Sequence, residues 1–186
     1  MVGSIFSVLT ACTAVPLPSL VKLSAVDMGT TLPSAIRVAF ITPKVLRIRQ
    51  GDIFMNVHLR IANGATDVRK KLDLLIDRSP PPPSLIASKT PDDDIHILKL
   101  RSEDVALFKN LQNMAAESKQ AGKKGTLDIS FGSNACTDAE PGGPLFLSAF
   151  IKTSELTDFT LLLNKANLND LAKEAGQEAK VKRCEK

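Results

Sequence analysis

The chain has 186 residues, 44% of them hydrophobic and 24% charged, with a formal net charge of +4. That length fits one ordinary domain, or one domain plus a leader, and that balance excludes wholesale disorder. Eight Phe with no Tyr and no Trp call for an aliphatic, Phe-filled core, and the stacking platforms for bases and sugars that usually draw on Tyr and Trp are largely missing.

No Asp, Glu, Lys or Arg precedes Lys22. Residues 2–11 (VGSIFSVLTA) form a short uncharged run ending in small residues. A membrane-spanning helix needs roughly 20 apolar residues, and Pro16 and Pro18 interrupt any helix before that length. The run has the character of a signal-peptide core. At its end Leu9-Thr10-Ala11-Cys12 resembles the lipobox of bacterial lipoproteins: an aliphatic residue, a small residue, Ala or Gly, then Cys. The resemblance implies cleavage after Ala11 and lipidation of Cys12 on both its thiol and its new amino group. Several chains on one residue hold a protein to a membrane, where a single chain is marginal. Thr13 stands where the family's inner-membrane members tend to carry Asp, so the resemblance implies the outer membrane and a periplasm-facing protein. The family's basic residues before the apolar stretch have no counterpart in Met1-Val2-Gly3-Ser4. The competing reading is a buried strand over residues 2–15.

If Cys12 carries lipid, Cys136 and Cys184 remain. In an oxidising compartment they are expected to pair, pinning the charged tail EAKVKRCEK to the body. Two free, unrelated thiols are the alternative. Without a Cys-x-x-Cys or a nearby His pair, a metal site has no sequence support, and no cofactor is expected.

The expected organisation is a leader at 1–11, a lipid-attached linker at 12–33, and a single α+β domain at 34–186. Within the linker, Pro and Gly punctuate a segment with one short strand at 20–24. Residues 34–43 (SAIRVAFITP) are apolar and β-branched enough for a strand ending at Pro43. Residues 45–49 and 52–61 flank Gln50-Gly51, which suits a hairpin turn needing positive φ. In the second arm Ile53, Met55, Val57, Leu59 and Ile61 alternate with Phe54, Asn56, His58 and Arg60. A period of two describes a strand with one buried and one wet face. Asn63-Gly64 then turns the chain into a strand over 68–77.

Residues 79–94 (SPPPPSLIASKTPDDD) read as an extended, stiff loop, since four consecutive prolines fit neither a central strand nor a helix interior. A spacer is the plainer reading of this segment, and a Pro-rich docking motif the sharper one. Asp92-Asp93-Asp94 could touch a divalent cation, but adjacent acids on a strand point alternately. A strand over 95–101 leads into the principal helix, about 102–121. Ser102 serves as N-cap, Glu103 and Asp104 sit at the positive end of the dipole, and Gly122 forms the left-handed stop. Val105, Phe108, Leu111 or Gln112, and Ala115 form its sheet-facing stripe. Strands follow at 125–136, 145–153 and 158–163, with a turn at Pro141-Gly142-Gly143-Pro144. A short C-terminal helix over 167–175 closes the chain. This order predicts a mainly antiparallel sheet or sandwich-like α+β domain.

His58 and His96 are the only histidines, each inside a strand. No nucleophile elbow, phosphate loop or dinucleotide fingerprint is present, so enzymatic chemistry has no motif to carry it. The basic clusters Arg69-Lys70-Lys71, Lys123-Lys124 and Lys180 with Lys182-Arg183 favour an envelope protein or an anionic surface as partner, or are simply solvated lysines. The missing stacking aromatics argue against nucleic acid. The leading expectation is a lipid-anchored envelope protein of structural or interaction type, held to the membrane through Cys12. The alternative is a periplasmic small-ligand binder, or an envelope enzyme, with a pocket between the 102–121 helix and the sheet.

Overall fold

The computed structural model describes Ser19 and residues 22–61, 66–138, 143–174 and 181–185. Strands β1 (Arg37–Pro43), β2 (Leu46–Arg47), β3 (Ile53–Ile61) and β4 (Thr66–Ile76) precede a short helix α1 (Pro83–Ser88). Strand β5 (Asp93–Leu100) feeds the main helix α2 (Ser102–Gln120). Strands β6 (Gly125–Ser133), β7 (Cys136–Thr137), β8 (Phe146–Lys152) and β9 (Thr160–Asn167) lead to the closing helix α3 (Leu168–Glu174).

Seven strands form one sheet in the order β6-β3-β4-β5-β1-β8-β9, and every pairing between neighbours is antiparallel. The α+β class expected from the sequence is therefore the class observed, as a curled half-barrel rather than two packed sheets. The curl shows in one contact. The Phe40 and Phe131 rings meet edge-on with centroids 6.2 Å apart, although β3, β4 and β5 lie between their strands in the sheet. At about 4.8 Å per strand, a flat sheet would hold the two chains nearly 20 Å apart.

The alternation in β3 sets the concave side. Ile53, Met55, Val57 and Leu59 are buried there, while Asn56 and Arg60 are exposed. Val38 and Phe40 of β1, Leu72 and Leu74 of β4, and Leu98 and Leu100 of β5 complete the same core. Helix α2 packs into the curl with Phe108 fully buried and Leu111 nearly so. Burying a Phe of this kind contributes about 1.5–3 kcal/mol. Central strand β1 is buried on both sides: Ala39 and Ile41 face a second, outer cluster with Ile97, Phe150 and Leu85 of α1. A strand covered on both faces reads as a continuous apolar run, which is how residues 38–41 (VAFI) read.

Several local expectations change. Residues 22 and 23 are helical, and the turn closes with the Val26 N–H donating to the Leu23 carbonyl at 3.0 Å, so the strand expected at 20–24 is not formed there. The proline-rich segment contains helix α1, because Pro83 falls in the first helical turn, where its missing N–H has no intrahelical acceptor to lose. Leu85 is then driven into the outer cluster. Gly51 does take φ +89°, but β2 and β3 are not hairpin partners. Strand β2 pairs with β7, and Asp52 accepts the Arg49 N–H at 2.7 Å, turning a corner instead. The residue before α2 is Arg101, in extended conformation and without a side-chain cap; Ser102 is already helical. At the other end Gly122 has φ +71°. Its N–H donates to Lys119 and the Lys123 N–H to Ser118, a Schellman closure. The turn expected at Asn63-Gly64, and Pro141-Gly142, lie outside the described residues.

Candidate functional site

The wet side of β6-β3-β4 carries a polar array. Antiparallel register places Asn56 opposite Lys71 and His58 opposite Arg69, with Ser130 and Asp128 on the other flank. Arg60 donates to Asp128 at 2.7 Å. His58 Nε2 meets Asp67 Oδ1 at 2.8 Å, and Arg69 donates to that same oxygen at 3.4 Å. The His58 hydrogen bond, more than any other interaction, lowers the Asp67 carboxyl pKa, with both neighbouring charges helping against desolvation. A His–carboxylate pair can orient a proton acceptor, but Asp67 is the single hydrogen-bond partner of the His58 ring among the described residues. The pair lies on an open, solvated face. It is an ion cluster tying two strands together.

Phe54 begins this face. The Lys71 ammonium sits 3.9 Å from the centroid of its ring, and on the other side the ring lies directly over Gly132, where a Cβ would collide with it. A glycine in a strand leaves a gap that a neighbouring aromatic ring fills.

The flank of β4 is unusual. Only Leu74, Leu75 and Ile76 pair with β5, through Leu100, Lys99 and Leu98. Strand β5 ends at Leu100 and the chain turns into α2, so among the described residues Thr66–Asp73 pairs with β3 on one side alone. Arg69, Lys70 and Lys71 are all exposed on this stretch. Its two acids are engaged: Asp67 by His58 and Arg69, Asp73 by Arg101 at 3.6 Å. Lys70, opposite Val57, has no ion-pair partner among the described residues. The basic cluster was legible in the sequence; the missing strand neighbour was not.

Where α2 meets the sheet, Phe108, Leu111 and Gln112 fill the contact. Gln112 Nε2 donates to the Met28 and Thr31 carbonyls at 2.7 and 2.8 Å, fastening the segment before β1. These side chains belong to the contact between α2 and the sheet, where the alternative reading places a ligand pocket. One surface cleft of about 470 Å³ lies at the β2–β7 end, lined by Arg47, Asp138, Arg183, Cys184 and Glu185. Another of about 260 Å³ is lined by the apolar Leu85, Phe150, Phe159 and Leu161 together with the hydroxyl residues Ser84 and Thr160. His96 lies opposite Phe40 on the concave face. Its Nε2 is buried without a partner, and burial lowers its pKa, with Asp94 pulling the other way.

Cys136 and Cys184 form a disulfide, S–S 2.08 Å, across 48 residues of sequence. Residues 181–185 add a third chain to the β2–β7 ribbon: Thr137 N–H donates to Lys182 at 2.9 Å and Cys184 N–H to Thr137 at 2.8 Å. Lys182 and Arg183 are exposed beside this bond, Lys123 and Lys124 follow α2, and Lys180 lies outside the described residues. Cys12 and the leader at 1–11 also lie outside them. Asp93 caps its own loop through the Thr90 N–H and hydroxyl, at 2.9 and 2.7 Å. Among the described residues no three His, Cys, Asp or Glu side chains converge as metal ligands. No described helix is long and apolar enough to span a membrane.

The fold and its polar faces thus define a class: a curled, antiparallel α+β half-barrel with a filled interior and a cystine-fastened tail. Compared with family models, curated proteins and solved structures, the chain matches none.

Proposed function

We propose that this chain is a lipid-anchored cell-envelope protein of structural or interaction type, tethered at Cys12 to the outer membrane and facing the periplasm. The observation that carries the reading is the Cys136–Cys184 disulfide. It belongs to an oxidising compartment and leaves Cys12, at the end of Leu9-Thr10-Ala11-Cys12, as the one cysteine outside it. The filled concave core and the polar, cationic outer side of β3 and β4 support a partner-binding surface over an enclosed catalytic site.

Intact-mass analysis of the protein recovered from a Gram-negative membrane fraction tests this. The expected mass lacks residues 1–11, gains the lipid groups on Cys12, and is two hydrogen atoms short at Cys136 and Cys184. A Cys12→Ala variant should lose both acylation and membrane partition. An unprocessed, unacylated chain in the soluble fraction overturns the proposal.

A further inference from the structure

We propose that the unpaired flank of β4, over Thr66–Asp73, is a docking edge that takes an extended acidic segment of a partner protein as an added strand. This deepens the interaction-surface part of the proposed function and rests on it. Backbone geometry comes first. Strand β4 has 11 residues, and β5 covers only its last three. Alternate N–H and C=O groups of the remaining eight residues, 66–73, therefore point away from β3 with no strand beside them among the described residues. An edge of this kind is a template for strand addition, in which main-chain hydrogen bonds supply affinity and alternate side chains supply specificity.

Charge selects the occupant. Arg69 and Lys71 lie on the outer face and Lys70 on the opposite one, so an incoming strand meets cations above and below its plane. Asp67 pairs with Arg69 and His58, and Asp73 with Arg101, which leaves Lys70 and Lys71, one on each face, without an ion-pair partner among the described residues. An arriving acidic strand finds complementary charge on both faces. A second copy of β4 does not: antiparallel self-pairing about Lys70 would set like charges against each other, which disfavours it. The same lysines that guard the edge against its own kind select for acids.

The test uses the full chain and a Glu-Thr repeat peptide long enough to span residues 66–73. Residue-resolved amide hydrogen exchange is read with and without peptide. Alternate amides within 66–73 are expected to slow by about tenfold or more, and the effect should weaken as salt rises. The same peptide with N-methylated backbone keeps its charges but cannot pair, and is expected to give no protection. The variant Arg69→Glu/Lys70→Glu/Lys71→Glu should weaken binding by about tenfold or more while the amides facing β3 remain protected, showing that it folds. Absence of peptide binding overturns the proposal. So does equal binding of the N-methylated peptide, equal protection by anionic phospholipid vesicles, or concentration-dependent protection with no peptide present. None of these readouts needs the lipid, so an unacylated Cys12 would sink the anchor while leaving the edge standing.

Discussion

Phe40 and Phe131 touch edge-on at 6.2 Å across the open side of the curl, one on central strand β1 and the other on edge strand β6. The two strands are not neighbours in the sheet, so this contact joins them through side-chain packing. Phe40→Ala should therefore destabilise the protein by about 3–5 kcal/mol, and the Phe40→Ala/Phe131→Ala cycle should show about 0.5–1.5 kcal/mol of coupling. Urea denaturation measures both; strict additivity would show that the rings do not act as a pair.

Gln50 acts as a substitute strand residue. Its Nε2 donates to the Leu74 carbonyl and its Oε1 accepts the Ile76 N–H, both at 3.0 Å. It does so where β3 has left the ladder, since the β3–β4 register stops at Phe54 and Asp73. Gln50→Ala leaves two backbone groups without those partners and is expected to cost about 1–3 kcal/mol. Hydrogen exchange at the Ile76 amide should accelerate more than at Leu72, which remains paired with Met55. Equal exchange at Ile76 in both proteins would show that water replaces the carboxamide without cost.

His96 is expected to make stability depend on pH. Burial lowers its pKa below the ordinary 6.5 against the opposing pull of Asp94, so the unfolded chain binds a proton more readily than the folded one. Stability from this group is complete above the unfolded value and is lost as pH falls through 6.5 towards the depressed folded value. Urea midpoints measured from pH 7.5 to 5 should fall for the native protein, and fall less for His96→Leu. The difference between the two curves isolates residue 96 from other titrating groups. Parallel curves would mean that the folded histidine is protonated as easily as a free one.

Reducing the Cys136–Cys184 bond frees a 48-residue separation, for which chain-entropy reasoning gives a loss of about 4 kcal/mol. Beyond this global effect, the amides of Thr137 and Cys184, which pair only through the tail, should exchange fastest after reduction. Cys136→Ser/Cys184→Ser should behave as the reduced protein does. An unchanged urea midpoint would show that the tail is held by its backbone bonds alone.

The sequence determined what depends on neighbours close along the chain. The alternation of Ile53, Met55, Val57 and Leu59 against Asn56 and Arg60 was enough to assign a one-sided strand, because a period of two forces one face inward. Gly51 and Gly122 declared positive φ, and cysteine parity anticipated the Cys136–Cys184 pair. Strand partners were another matter. Residues 45–49 and 52–61 looked like a hairpin because they adjoin a turn, yet β2 chose β7, where the cystine and the 181–185 segment already hold the partner in place. The prolines of residues 80–83 suggested an extended loop, and Leu85 became helical because the outer face of β1 and β5 needed a cover. Above all, the run Arg69-Lys70-Lys71 reads the same whether its strand is central or bare on one flank. Only tertiary structure decides that, because strand pairing depends on where β5 ends and how far the sheet curls, and neither is encoded in the residues of β4.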